Sequence, residues 1–173
     1  RLFWAFHVLR DYARTLTENA SRHVAGIPAW MEVAKALETA QTPLPLIYGH
    51  NDLLPANFLY ANNRVWLIDF EYSAYSTAMF DLAGLSSNAG FDRDPSLELL
   101  KLYFSSNPDA GLIQALEAMQ CASLLREAMW SMVSELFLKA PGVDYAAYTA
   151  NQLDAYSARL DDYQSRYGKI AKS

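Results

Sequence analysis

The chain has 173 residues, 52% of them hydrophobic and 13% aromatic, which is enough for a single domain with a sizeable core. Its 14 basic against 19 acidic side chains give a net charge of −5, which argues against a general nucleic-acid binder, because such a protein needs a basic face for phosphates. The one cysteine, Cys121, excludes an internal disulfide and fits a reducing, cytoplasmic setting, and no apolar run approaches membrane-spanning length.

From Phe3 to about Ala20, apolar residues at Phe3, Phe6, Leu9, Tyr12, Ala13 and Leu16 recur at helical spacing. The opening Arg1-Leu2-Phe3-Trp4 starts directly in this pattern, with no Met and no cap, as a piece of a longer protein would. His7 and His23 read as surface or partly buried histidines, since no partner spacing supports a metal. Pro28 opens a second helix from Ala29 to about Ala40. Thr42-Pro43-Leu44-Pro45 ends it and forces an extended entry into the next stretch.

That stretch, Tyr48 to Glu71, organises the chain. Asn62-Asn63 is a turn pair between FLYA and RVWLI, two runs rich in strand formers, so the spacing predicts a hairpin. One arm starts just after Asn57 and the other ends just before Asp69. The hairpin therefore sets these two residues side by side, with Asp52 on the loop leading in. Three oxygen ligands in this arrangement suit a hard divalent ion such as Mg²⁺.

Tyr72 to Thr77 reads as a polar loop. A helix follows from Ala78 to Ser87 and carries Asp81, an acid placed to favour the positive end of the helix dipole. Pro95 lies in the first turn of a helix reaching about Ser105, with Leu97, Leu100, Tyr103 and Phe104 facing inward. Asn107-Pro108-Asp109 breaks the chain before a long helix from Ala110 to Leu138. Its apolar face runs through Leu116, Met119, Leu125, Met129, Met132, Val133, Leu136 and Phe137, with Cys121 a small buried residue among them. Pro141-Gly142 is read as its stop. The last helix runs from Asp144, a good N-cap, to Tyr167, with Gly168 after it. Tyr145, Tyr148, Leu153, Tyr156, Leu160, Tyr163 and Tyr167 form one stripe, expected as a core face whose hydroxyls reach solvent. There are no repeats and no linker. The fold class is α+β, mostly α-helical, around one small β-hairpin.

His50-Asn51-Asp52-Leu53-Leu54-Pro55-Ala56-Asn57 keeps the frame of the H-R-D-L-x-x-x-N catalytic loop, and Asp69-Phe70-Glu71 stands where protein kinases carry D-F-G. With Glu71 for that glycine, Asn51 for the arginine, and Phe80-Asp81-Leu82 downstream, the chain resembles the choline/ethanolamine kinase branch of the aminoglycoside phosphotransferase group. The resemblance implies a protein-kinase-like C-terminal lobe over residues 1–173, without the smaller N-terminal lobe that carries the phosphate-covering loop and its lysine. It implies Asp52 as catalytic base, Asn57 and Asp69 as Mg²⁺ ligands, and Glu71 holding a second metal directly or through water. His50 and Asp81 would support the catalytic loop. Leu59 and Ile68, on facing arms of the hairpin, would floor the adenine of ATP, a role compatible with the plainer reading of both as hairpin core.

The acceptor would be a small amine. Choline kinases hold a quaternary ammonium with acids and aromatic faces, and by that match Tyr72, Trp130 and Tyr148 are cage candidates, against a plain core reading. Glu127 stands where a second tryptophan is expected, and Asn88 where an acid is expected, so a primary amine or another amino alcohol would also suit. H-x-D can bind zinc, but His7 and His23 lie too far upstream to complete such a motif. The competing readings are an aminoglycoside-type or other small-molecule phosphotransferase, and an inactive lobe serving as a binding module. A helical face normally covered by the absent lobe would favour a homodimer.

Overall fold

The computed structural model describes residues 1–138 and 142–170. It is mostly helical, with two small antiparallel ladders, and divides into two units: Arg1–Trp4 with Gln41–Gln120, and Ala5–Ala40 with Cys121–Ser173.

The first unit holds the four strands found among the described residues. β1 (Leu46–Gly49) pairs with β4 (Ala74–Thr77), Leu46 opposite Thr77 and Gly49 opposite Ala74. β2 (Phe58–Ala61) pairs with β3 (Arg64–Leu67), Phe58 opposite Leu67 and Ala61 opposite Arg64. Asn62 and Asn63 link β2 to β3 with φ of 53° and 60°. Two successive left-handed residues match the right-handed twist of a two-residue hairpin, and asparagine tolerates that conformation better than most side chains.

The β1–β4 ladder corrects the reading of Tyr72–Thr77 as a loop. The inward residues of β4 are Ala74 and Ser76, too small and polar to look like strand core. The Leu2 bridge to Tyr75, with Phe3 N–H donating to the Tyr75 carbonyl at 2.8 Å, fixes β4's other edge. Phe3 is itself buried against Phe80, ring centres 4.6 Å apart.

α3 (Ala78–Asn88) starts at the end of β4 and buries Ala78, Met79, Phe80, Leu82 and Ala83. α4 (Arg93–Phe104) turns Ser96 and Leu100 inward, whereas Tyr103, expected inside, is 47% exposed. The buried Gln120 amide bonds to Ser86 Oγ at 2.8 Å and Ser96 Oγ at 3.2 Å, so three buried polar side chains satisfy one another.

The second unit holds α1 (Ala5–Glu18), α2 (Ile27–Thr39) and α6 (Tyr145–Tyr167). α1 buries Phe6, Leu9, Ala13 and Leu16 at helical spacing. Pro28 sits in the first turn of α2, where a missing N–H costs nothing. The unit boundary falls inside α5 (Ala110–Phe137). Its middle is buried nearly all round rather than along one face, and includes Cys121, Met129 and Met132, while Leu136 and Phe137 at its end are exposed. Pro141, read as its stop, lies outside the described residues. Asp144 caps α6 by accepting from Ala147 N–H at 2.9 Å, and Gly168 follows the helix with φ of 94°. The Tyr156 hydroxyl does not reach solvent, contrary to the stripe reading. It is buried without a hydrogen-bond partner among the described residues, and burial pushes its pKa up.

Candidate active site

In the first unit the chain leaves β1 at Gly49 and turns sharply through His50, Asn51 and Asp52. Gly49 is required by crowding: a Cβ there would run into Ser76 Oγ and come within 3.0 Å of Asp81 Oδ2. Asn51 has φ of 63°, a left-handed turn for a side-chain-bearing residue. The first turn of α3 holds this path open. Asp81 Oδ2 accepts from His50 N–H at 2.8 Å and Oδ1 from Asn51 N–H at 2.7 Å, so both carboxylate oxygens serve the loop backbone. Burial raises the Asp81 pKa, with the two N–H bonds acting against that shift.

The His50 ring is buried, with Nε2 2.8 Å from the Ile68 carbonyl, and packs 4.7 Å from the Phe70 ring centre. A carbonyl can only accept, so Nε2 carries the proton in this bond. Beyond Asp52 a 3₁₀ turn, Pro55–Asn57, leads into β2. Asn57 Nδ2 donates back to the Asp52 carbonyl at 2.9 Å, and Ile68 N–H donates to the Asn57 carbonyl at 3.1 Å. Asn88, from the end of α3, donates to the Leu53 carbonyl at 3.2 Å. Through these bonds the loop 50–57 and the end of β3 are stitched to each other and to α3. Asp69 follows with φ of 63°, and its side chain and that of Glu71 are exposed.

Leu59 and Ile68 are 47% and 42% exposed, so neither is buried as hairpin core, and both leave apolar surface open. Tyr72 is partly exposed, and its carbonyl accepts from the Asn51 amide. Among the described residues no three His, Cys, Asp or Glu side chains gather as a metal cluster. His7 is exposed, and His23 Nε2 lies 3.5 Å from Glu135.

Trp130 and Tyr148 belong to the second unit and lie edge to face, ring centres 6.3 Å apart, and the Tyr145 ring centre is 6.4 Å from that of the indole. Glu127 is already engaged there. Its Oε2 is 2.7 Å from Arg126 Nη1, and its Oε1 accepts from the Tyr148 hydroxyl at 2.9 Å. Burial first, and then the Glu127 carboxylate, push the Tyr148 pKa up. Sequence reasoning missed the Asn51 side chain, Asn88 as a loop anchor and the Arg126–Glu127 pair. The signal for Asn51 was its neighbourhood, a buried-type loop between Gly49 and an acid, and nothing local flagged the other two.

The choline/ethanolamine kinase family model matches residues 9–110. A probable ethanolamine kinase of Arabidopsis thaliana is 32% identical over 108 residues, covering 51% of this chain and 29% of its own length. The crystal structure of a choline/ethanolamine kinase family protein from Mesorhizobium loti superposes with TM-score 0.81 at 25% identity, covering 92% of this chain and 55% of the other. The structure of LicA in complex with AMP gives TM-score 0.68 at 20% identity, covering 93% and 55%, a likeness of fold. The chain thus spans about half or less of the length of these relatives. With a matched region that takes in the whole of the braced loop, the hairpin and α3, the chain belongs to the choline/ethanolamine kinase family.

Proposed function

We propose that the protein transfers the terminal phosphoryl group of ATP to the hydroxyl of a small amine, choline or ethanolamine being the leading acceptors. The observation that carries this reading is the stitched loop. Asp81 holds the backbone before Asp52, and Asn57 holds the backbone after it, which gives a carboxylate a fixed origin. Phosphoryl transfer needs little covalent help. It needs positioning, charge neutralisation and a group that orients the attacking hydroxyl. Asp52 would accept the hydroxyl proton as the acceptor oxygen bonds to phosphorus and the bond to ADP breaks.

The donors present fit Mg²⁺. The Asn57 Nδ2 is committed to the Asp52 carbonyl, which leaves the amide's Oδ1 as its donor, and Asp69 and Glu71 offer exposed carboxylates. This is an oxygen-only set, as a hard ion prefers. Asn57 and Asp69 would hold the ion, with Glu71 bound directly or through water, and the ion would neutralise the nucleotide's phosphates. Leu59 and Ile68, open to solvent, would receive the adenine ring, and the AMP held by the LicA relative supports a nucleotide in this fold. Trp130 and Tyr148, edge to face in the second unit, would offer aromatic faces to the amine. The upstream lobe of the complete protein would cover the nucleotide.

The test is ADP release by the complete protein with choline or ethanolamine as acceptor. Stimulation by either amine is the expected result. Silence with both amines and with an aminoglycoside panel would remove the kinase reading.

A further inference from the structure

The Asn51 side chain has no role in the reaction as outlined, yet it is 1% exposed and holds a left-handed backbone. Its Nδ2 lies 3.3 Å from the Gly49 carbonyl, 3.2 Å from that of Tyr72 and 3.4 Å from that of Ala74. A turn that needed only φ of 63° would be served by glycine at no steric cost. The amide reaches instead to the far side of the Asp69–Glu71 segment. The neighbouring His50 grips the near side, through the Ile68 carbonyl at 2.8 Å. The three residues 69–71 therefore hang between carbonyls 68 and 72, each held by a side chain from the loop that carries Asp52.

We infer that Asn51 is a positioning residue: with His50 it brackets the Asp69–Glu71 segment and fixes its distance from Asp52. This inference rests on the proposed kinase reading for its catalytic consequence but not for its geometry. A hydrogen-bonded bracket acts through the placement of others, and small misplacements of reacting groups cost rate steeply. The amide lies close to the β1 backbone as well: a Cβ at Gly49 would make a tight 3.3 Å approach to Asn51 Oδ1. The amide is thus confined between β1 and β4.

The test is Asn51→Gly in the complete protein, which keeps the left-handed turn and deletes the bracket. Leu100→Ala, a fully buried residue of α4 away from the loop, serves as the control for lost stability. We expect kcat to fall about 30-fold in Asn51→Gly, while Leu100→Ala lowers Tm and leaves kcat per folded molecule near wild type. Amide hydrogen exchange across residues 69–74 should rise about tenfold in Asn51→Gly and stay unchanged in α4 and α6. Should Asn51→Gly not fold, Asn51→Ser keeps one short donor and should lose about tenfold in kcat. A kcat within about threefold of wild type in the folded variant, or unchanged exchange over 69–74, overturns the inference. Absence of amine-dependent ADP release in the wild type would instead overturn the kinase reading, and the exchange measurement would still decide the bracket.

Discussion

The braced loop of the first unit and the Arg126–Glu127–Tyr148–Trp130 cluster of the second are built in opposite ways. In the loop, the side chains of His50, Asn51, Asn57, Asp81 and Asn88 all bond to backbone atoms. In the cluster, side chain meets side chain: Arg126 to Glu127 at 2.7 Å within α5, and Tyr148 of α6 to Glu127 at 2.9 Å. The first arrangement fixes the path of the chain on either side of Asp52. The second fixes how two helices meet. Changes in the loop should therefore appear in turnover, and changes in the cluster in stability or in amine affinity.

The largest effect tests the loop. Asp52→Asn should lower turnover about 1,000-fold with folding intact, read as ADP release beside a far-UV circular dichroism spectrum. Near-normal turnover would dissolve the contrast by making the loop a turn like any other. Next comes the cluster's ion pair. Arg126 and Glu127 are 8% and 19% exposed, so Glu127→Ala strands a nearly buried guanidinium and should cost about 3 kcal/mol in urea unfolding. A loss no greater than at a surface site would mean that the pair holds nothing together. Trp130→Ala should raise the amine's KM about tenfold with a smaller change in kcat, and an unchanged KM would return Trp130 to the helix interface.

The smallest effect is in pH. The folded Asp81 carboxyl titrates above its ordinary 3.8 because burial disfavours its charge. Between that value and the raised one, the folded state binds more protons than the unfolded, so stability falls as pH rises through this window. Asp81→Asn does not titrate, and a Tm series should show the wild type losing ground to it as pH climbs above 3.8. Parallel curves would deny that burial governs this carboxylate.

The same contrast explains what could be read in advance. Helical spacing marked α1 because its buried Phe6, Leu9, Ala13 and Leu16 are regularly placed, and Asn62-Asn63 marked the hairpin by its own backbone preference. The motif residues of the loop were legible from the catalytic-loop frame they keep, although of their bonds only that of Asn57 to Asp52 is local, while His50 reaches Ile68 and Asp81 across 18 and 31 residues of chain. β4 was missed because Ala74 and Ser76 become strand core only opposite β1, whose residues lie far back in the chain. Tyr103 was placed inside by spacing alone, whereas Ser96 takes the inward position by bonding to Gln120. The engagement of Glu127 depends on which helix meets α5, which no local pattern encodes. That is also why Trp130 and Tyr148, beyond the residues 9–110 that the family model matches, carry the weaker assignment.

The hairpin has one more consequence. Leu59 faces Trp66 and Tyr60 faces Val65 across the ladder, so successive pairs point to opposite sides. All four are about half exposed or more. Apart from the Arg64 guanidinium over Trp66 and the Tyr60 hydroxyl, this ribbon offers water apolar groups on both surfaces. Handled as these residues alone, the protein would foul columns and scatter light as its concentration rose, and a mild detergent would be the first thing to add to the buffer.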